Sequence, residues 1–458
     1  VTPQRKSTGK NQKNSQYKAE TCQLTATKLV DTNLIDMYNP CEKPTQPFKN
    51  LREVTLMEEA VIVDYLRSPF SRSRPREPER DVFNSVRMDD VAGMLIKKLI
   101  ERTKIKPEEI NDVITGTAFP TGEQWLYGGR HITFLAGLPF NVPAQQVDRQ
   151  CGSAMSALHQ GAMEIMLGYS DIIIAGGVEH MTHNPMPGPG IEESRIMVKP
   201  NPRLFSEPEY AKYNIMTTYN MGLTAEKLFD QTDFTREDMD KWALGSHQKA
   251  AKALKEGFFK GEIMPLEVIM PDGTKQVIDH DVSIRPDTTM EALAQLNPSF
   301  KPDGHITPGN SSPLNAGATM MMVMSRKKAK EYRLKPLAKI VSLGWAGVDP
   351  SVMGLGPVPA SRMALKHVGM EVKDIDFWEI NEAFAIVTLN AIKELGIDPD
   401  KVNVKGGAVA IGHPLGATGT RLVGTLARIL DVEGGRFGLA TPCVGGGQGT
   451  ATIIERIK

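Results

Sequence analysis

Apolar positions along the chain alternate between two periods. Ala60–Tyr65 (AVIVDY) is a short apolar run and predicts a buried strand. Asp89–Glu101 places Val91, Met94, Leu95 and Leu99 on one stripe at helical spacing. Ile110–Gly116 is strand-like again. From Ala154 to Met166, small or apolar residues fall at helical spacing, and their size suits a buried helix. Asp171–Gly177 (DIIIAGG), Asp376–Ile380 and Phe437–Ala440 read as strands, and Arg236–Glu256 as a helix. Strands alternating with helices predict an α/β fold with a mainly parallel, buried sheet.

The pattern repeats weakly. Ile110–Phe119 (INDVITGTAF) aligns with Ile375–Phe384 (IDFWEINEAF), an offset of 265 residues, and DIIIAGG corresponds to FGLATPCVGG from Phe437. A period this long is a duplicated domain rather than a solenoid. Between the copies, residues 182–315 hold turn clusters (HNPMPGPG, HITPGNSSP) and few periodic segments, which reads as an insertion able to carry binding loops. The expected organisation is a first half over 57–181 and 316–331, a loop domain over 182–315, and a second half over 332–458.

Residues 1–56 have a different character. They are rich in Lys, Asn, Gln and Thr, with nine Lys/Arg against five Asp/Glu, and no helix or strand period persists. Such a segment buries too little apolar surface to offset its ordering entropy. It lacks the apolar region of a secretory signal, and its acids do not suit a mitochondrial presequence. The expectation is a disordered or non-native extension, with ordered protein beginning near Met57.

Composition narrows the function. Lys+Arg and Asp+Glu both number 54, so no net charge recommends nucleic acid as a partner. Four cysteines in 458 residues make no disulfide framework and fit a reducing compartment. No apolar run is long enough to span a membrane.

Both cysteines beyond residue 56 lie in glycine-bearing segments. Cys151 opens CGSAMSALHQGA at the predicted start of a helix, where free amides favour a thiolate. Position alone leaves it open between a reactive thiol and a buried structural cysteine. Cys443 follows a strand and precedes glycines at 445, 446, 447 and 449, which let backbone amides approach a ligand. His413 lies in the constrained loop GGAVAIGHPLGATGTR, where an imidazole can serve as a base. Asn381 follows the strand Asp376–Ile380, at the end where open α/β sheets hold ligands. His180 and His183 (EHMTH) suggest a metal, but no Cys or carboxylate cluster completes a ligand set, and none is expected. Two thiols, an imidazole and an amide on related loops suit covalent acyl transfer through sulfur.

These motifs, with AGGVEHM, NEAFA and CVGGGQGTA in order, make residues 57–458 resemble the thiolase family. GGVEHMTHNPM, SVMGLGPVPASRMALK and IRPDTTMEALAQLNPSF point toward its bacterial 3-ketoacyl-CoA-cleaving members, the β subunits of fatty-acid oxidation complexes. The resemblance implies a duplicated five-layered α-β-α-β-α sandwich whose inserted loop domain binds CoA. It implies Cys151 as acyl-carrying nucleophile, His413 as its base and Cys443 as the second acid/base. One oxyanion hole would be His413 with a water held by Asn381, the other the backbone N–H groups of Cys151 and Gly445. Ser312 and Asn315 match the family's pantetheine segment, and Phe384 would line the same pocket. Met186 stands where short-chain members carry His, which would widen acyl-chain tolerance.

The implied reaction is CoA-dependent cleavage of 3-ketoacyl-CoA in fatty-acid β-oxidation, with CoA as substrate and no tightly bound cofactor. A biosynthetic acetyl-CoA acetyltransferase is the alternative. A ketoacyl synthase would lack the second cysteine, and a non-catalytic relative would lack Cys151 or His413. The family further implies a homodimer or tetramer, in this subgroup docked on a hydratase/dehydrogenase α subunit; the lack of a credible signal over this sequence and the bacterial likeness lead to the expectation of a cytoplasmic location.

Overall fold

The computed structural model describes residues 57–125, 127–186 and 200–457. The extension expected over 1–56 lies outside the described residues. One 11-stranded mixed sheet carries the body. Its principal strands are β1 (Ala60–Arg67), β2 (Asp112–Gly116), β3 (Ala144–Val147), β4 (Ile172–His180), β5 (Asn315–Ser325), β6 (Ala338–Gly347), β7 (Phe377–Ile380), β8 (Phe437–Thr441) and β9 (Gln448–Arg456). They lie in the order β7-β8-β9-β6-β1-β5-β4-β2-β3. The principal helices are α1 (Met88–Thr103), α2 (Gly128–Leu135), α3 (Ser153–Met166), α4 (Met221–Phe229), α5 (Arg236–Lys255), α6 (Pro357–His367), α7 (Ala385–Leu395) and α8 (Thr418–Glu433).

The strand order is symmetric about the β1–β6 junction, where only Val61↔Lys339 and Ile62↔Ala338 pair. The 265-residue offset carries the start of β2, Asp112, onto the start of β7, Phe377, and Ile172 of β4 onto Phe437 of β8.

The core falls into slabs that define the layers. α1 packs Val91, Leu95, Ile96 and Leu99 against β1, β4 and β5. Between the two parts of the sheet, Met155, Ala157 and Leu158 of α3 meet Leu422, Val423 and Leu426 of α8. Outside β7, β8 and β9 lie Val358 and Leu365 of α6 with Ile392 and Leu395 of α7. The sequence of layers is helix, sheet, paired helices, sheet, helix. Gly419 of α8 lets the two helices pack this closely: a Cβ there would lie 2.1 Å from Met155 N of α3.

The sheet departs from the expected mainly parallel arrangement. β2–β3, β2–β4 and β7–β8 are parallel, but β4–β5, β1–β5, β6–β9 and β8–β9 are antiparallel. The two directions look alike in sequence here. All eleven residues of β5 are buried, as are all nine of β4, so neither shows the one-sided alternation usual for an antiparallel strand. β8 and β9 are joined by a tight turn rather than a crossover helix, which fixes them antiparallel. Its Gly446 and Gly447 have φ of +78° and +73°, a conformation that favours glycine.

Candidate active site

The chemistry gathers where strand ends from both parts of the sheet meet. Cys151 is in a short 3₁₀ turn, Gln150–Gly152, just ahead of α3. The preceding Gln150 has φ +45°, uncommon for a side-chain-bearing residue. Its Nε2 donates to Ala118 O at 3.1 Å, and its backbone N–H to Asp148 Oδ1 at 2.9 Å, so hydrogen bonds hold the strained turn. The Ser153 hydroxyl is 3.0 Å from Thr117 O, tying the first residue of α3 to the end of β2.

Cys151 is buried, with the Gly445 backbone N–H directed at its sulfur. Burial pushes the thiol up to about 12; the Gly445 amide opposes this, and the Glu179 and Asp148 carboxylates reinforce it. Cys443 is fully buried and is also pushed well above the usual thiol range, first by burial and then by the nearness of Cys151. Both are free cysteines. A thiol so held stays protonated at neutral pH and can act as an acid.

His413 is fixed from three sides. Its backbone N–H donates to Asn315 Oδ1 at 2.7 Å, Nδ1 lies 2.6 Å from Thr418 Oγ1, and Nε2 lies 3.3 Å from Asn381 Nδ2. The Thr418 hydroxyl donates to Pro414 O at 2.9 Å. A carbonyl oxygen can only accept, so that proton is committed, and His413 Nδ1 must be the donor to Thr418. The remaining lone pair is on Nε2, which can take a proton. Burial, and secondarily the Arg421 guanidinium, push the imidazole down to about 3, so it rests neutral.

Asn381 takes its place from the NEAF loop. Its backbone N–H donates to Thr441 O at 3.0 Å, and its buried Oδ1 has no protein partner. The neighbouring Glu382 is wholly buried and accepts from Trp242 Nε1, Asn403 Nδ2, Ser246 Oγ and the Val409 N–H at 2.9, 2.8, 2.7 and 3.1 Å. That carboxylate clamps the loop between α5 and the segment leading to His413.

The remaining expected residues fall in different places. Ser312 donates its backbone N–H to Ala383 O at 3.0 Å, and Ser311 bridges Phe384, so this segment runs beside the NEAF loop. Asn315 is deeper. Its Nδ2 donates to Ser71 O at 2.5 Å while Oδ1 holds His413, so both of its polar groups are committed to protein. Met186 is 38% exposed and adjoins residues 187–199, which lie outside the described residues. His180 and His183 stack at 3.5 Å, with His180 Nε2 on Phe83 O, His183 Nδ1 on Glu123 and His183 Nε2 on Asn84 O. Among the described residues no group of His, Cys, Asp or Glu could hold a metal ion.

Sequence reasoning assigned no role to Thr418, Glu179 or Glu382, though all three lie in quoted motifs. The available signal was local for Thr418, a hydroxyl five residues beyond a histidine in a tight loop. A cavity of about 210 Å³ opens beside the Ser312 segment, lined by Arg72, Arg285, His247, Ser283, Gly309 and Pro313 among others.

Two thiols, a neutral imidazole whose Nε2 lone pair faces the Asn381 amide and a backbone amide aimed at sulfur are the parts that cysteine-based acyl transfer requires. The comparisons agree. Residues 60–327 match the thiolase N-terminal domain and 334–456 the thiolase C-terminal domain. The chain belongs to the thiolase family. It is 43% identical over 404 residues, 87% of its length and 98% of the relative's, to a 3-ketoacyl-CoA thiolase of Marinobacter nauticus. Over the same span it is 45% identical to one from Saccharophagus degradans. Among solved structures it matches human mitochondrial 3-ketoacyl-CoA thiolase in complex with CoA, at TM-score 0.77 and 34% identity, covering 88% of this chain and 99% of that one. It also matches the Bacillus anthracis acetyl-CoA acetyltransferase, at TM-score 0.77 and 36% identity, covering 88% and 100%.

Proposed function

We propose that the protein cleaves 3-ketoacyl-CoA with CoA, giving acetyl-CoA and an acyl-CoA shorter by two carbons. The observation that supports this reading is a pair of close contacts made by four separate loops, Cys151 beside Cys443 and His413 beside Asn381, with the Gly445 amide on the Cys151 sulfur. Cys151 attacks the 3-keto carbon while its proton passes to His413 Nε2. Thiol and imidazole both rest neutral, so transfer accompanies attack rather than preceding it. The alkoxide collapses, the C2–C3 bond breaks, and its electrons form the acetyl-CoA enolate. The Cys443 thiol protonates C2. CoA thiol then gives its proton to the Cys443 thiolate and attacks the acyl-enzyme. Cys151 leaves and recovers its proton from His413.

Each oxyanion needs fixed donors, worth about 3 kcal/mol apiece. His413 with a water on Asn381 serves one, and the Cys151 and Gly445 amides serve the other. The unpartnered Asn381 Oδ1 supports a water there. Arg72 and Arg285 in the cavity beside Ser312 suit the phosphates of CoA. Phe384 lines the pantetheine path, and Met186 favours longer acyl chains.

The likeness to an acetyl-CoA acetyltransferase supports a second reading, synthesis of acetoacetyl-CoA. Thiolysis of short to long 3-ketoacyl-CoA by wild type and Cys151→Ser separates them. Turnover of medium and long chains, lost in the variant, supports cleavage. Activity confined to acetoacetyl-CoA favours the second reading, and a Cys151→Ser enzyme of wild-type rate removes the assigned nucleophile. A homodimer or tetramer, docking on a hydratase/dehydrogenase subunit and a cytoplasmic location belong to the same proposal. Light scattering, co-purification and cell fractionation test them. Among the described residues no helix is long and apolar enough to cross a membrane.

A further inference from the structure

Glu179, on β4, is a buried carboxylate with no part in the reaction sequence above. One oxygen, Oε2, accepts two backbone N–H groups, from Ala118 at 2.9 Å and from Gly416 at 2.9 Å. The other, Oε1, accepts from Gln124 Nε2. The two backbone donors come from the two sides of the active site. Ala118 follows β2, and its carbonyl holds the side chain of Gln150, the residue before Cys151. Gly416 is three residues past His413 and two before Thr418, which orients the imidazole. A single oxygen atom thus joins the loop supporting the thiol to the loop carrying the base.

The backbone around it is shaped for that contact. A Cβ on Gly177 would lie 1.9 Å from Gly416 O, and one on Gly416 would lie 2.4 Å from Val178 O and 2.6 Å from Thr117 Cα. The His413 loop therefore rests directly on the ends of β2 and β4, and side chains are excluded from the seam.

We propose that Glu179 is a positioning residue that sets the placement of the Cys151 thiol relative to the His413 imidazole by binding both of their loops through one carboxylate oxygen. The proposal deepens the thiolase reading and rests on it. The arrangement suits a carboxylate, because all three assigned partners donate and none accepts. Glutamine in its place would turn an N–H toward at least one of those donors. Aspartate would keep the charge and lose the reach.

The same carboxylate faces Cys151, together with Asp148 and the Cys443 thiol, and opposes formation of the thiolate. Burial lifts Glu179 itself to about 7, so its charge is fullest above that pH. Removing the charge therefore eases ionisation of Cys151 even as it loosens the loops. A residue that only supported the fold would not separate these effects.

The test compares wild type, Glu179→Gln and Glu179→Asp in full-length enzyme, by thiolysis kinetics and by the pH dependence of Cys151 alkylation with iodoacetamide. Turnover should fall at least tenfold in both variants, chiefly in kcat. Alkylation at pH 8 should be faster than wild type in Glu179→Gln, where the opposing charge is gone, and no faster in Glu179→Asp, which keeps it. Turnover of either folded variant within threefold of wild type would overturn the proposal. So would parallel losses of turnover and alkylation in Glu179→Gln. Absence of thiolysis in wild type would refute the reaction assignment instead, and the alkylation profiles would still report on the carboxylate.

Discussion

Thr418 provides the sharpest test of how the base is prepared. Its hydroxyl is fully buried, donates to Pro414 O and accepts from His413 Nδ1 at 2.6 Å. Thr418→Val keeps the volume and replaces the hydroxyl with a methyl group. The Nδ1–H then loses its acceptor in surroundings that are almost wholly buried. An unsatisfied buried donor costs about 1–3 kcal/mol. Neutral imidazole escapes that cost by moving its proton to Nε2, the nitrogen that must receive the Cys151 proton. A penalty of that size corresponds to roughly 5- to 150-fold in the population of the competent tautomer. The expected loss in kcat/KM for 3-ketoacyl-CoA thiolysis is therefore about 10- to 100-fold. Thr418→Ser restores the hydroxyl and should recover activity to within a few-fold. Steady-state kinetics of the three proteins at one pH, with thermal unfolding as a check on folding, makes the comparison. A Thr418→Val enzyme within twofold of wild type would refute the tautomer argument, as would a Thr418→Ser enzyme as impaired as the valine variant.

Other outcomes follow from packing and charge. Gly177→Ala forces a methyl group into the Gly416 carbonyl, 1.9 Å away, and backbone cannot yield as a side-chain tip can. We expect destabilisation of about 1–3 kcal/mol or more, read as a lower urea midpoint; an unchanged midpoint would show that β4 and the His413 loop are not in contact. His159 is buried in α3 with Nε2 2.9 Å from Thr452 Oγ1, and burial pushes it down to about 3. Below its unfolded value near 6.5 the unfolded chain takes up a proton that the native state refuses. Its share of stability is therefore present above that pH and is lost as pH falls toward 3, by up to about 1.4 kcal/mol per pH unit. His159→Gln should flatten the acid limb of stability against pH by that share, and an unchanged slope in urea melts between pH 6 and pH 4 would contradict the assignment.

Much of the candidate site was legible in the sequence. Cys151, Cys443 and His413 stood out as reactive residue types in glycine-bearing loops, and Asn381 by its place at the end of a predicted strand. Asn315 was legible as part of the site region but not in its task. From sequence it belongs to a ligand-binding segment; in the structure its Oδ1 holds the His413 backbone and its Nδ2 holds Ser71 O. Glu179 and Thr418 gave less away. Nothing in AGGVEHM says that its carboxylate reaches Gly416, 237 residues later. The direction of β5 was hidden too, because complete burial removes the alternation that would have marked it as antiparallel.

The sequence by itself determined what depends on neighbours along the chain. The periods of β1, α1, α3 and α5 and the residue types of the acyl-transfer chemistry are local patterns, and the 265-residue repeat is a comparison of two such patterns. Tertiary structure decided what depends on neighbours in space. It chose the mixed strand order, placed both thiols beneath enough protein to keep them protonated, and made His413 neutral with its Nε2 lone pair facing the Asn381 amide. Burial and hydrogen bonds across hundreds of residues set those properties, and a pKa or a tautomer is a sum over surroundings that exist only once the chain has folded.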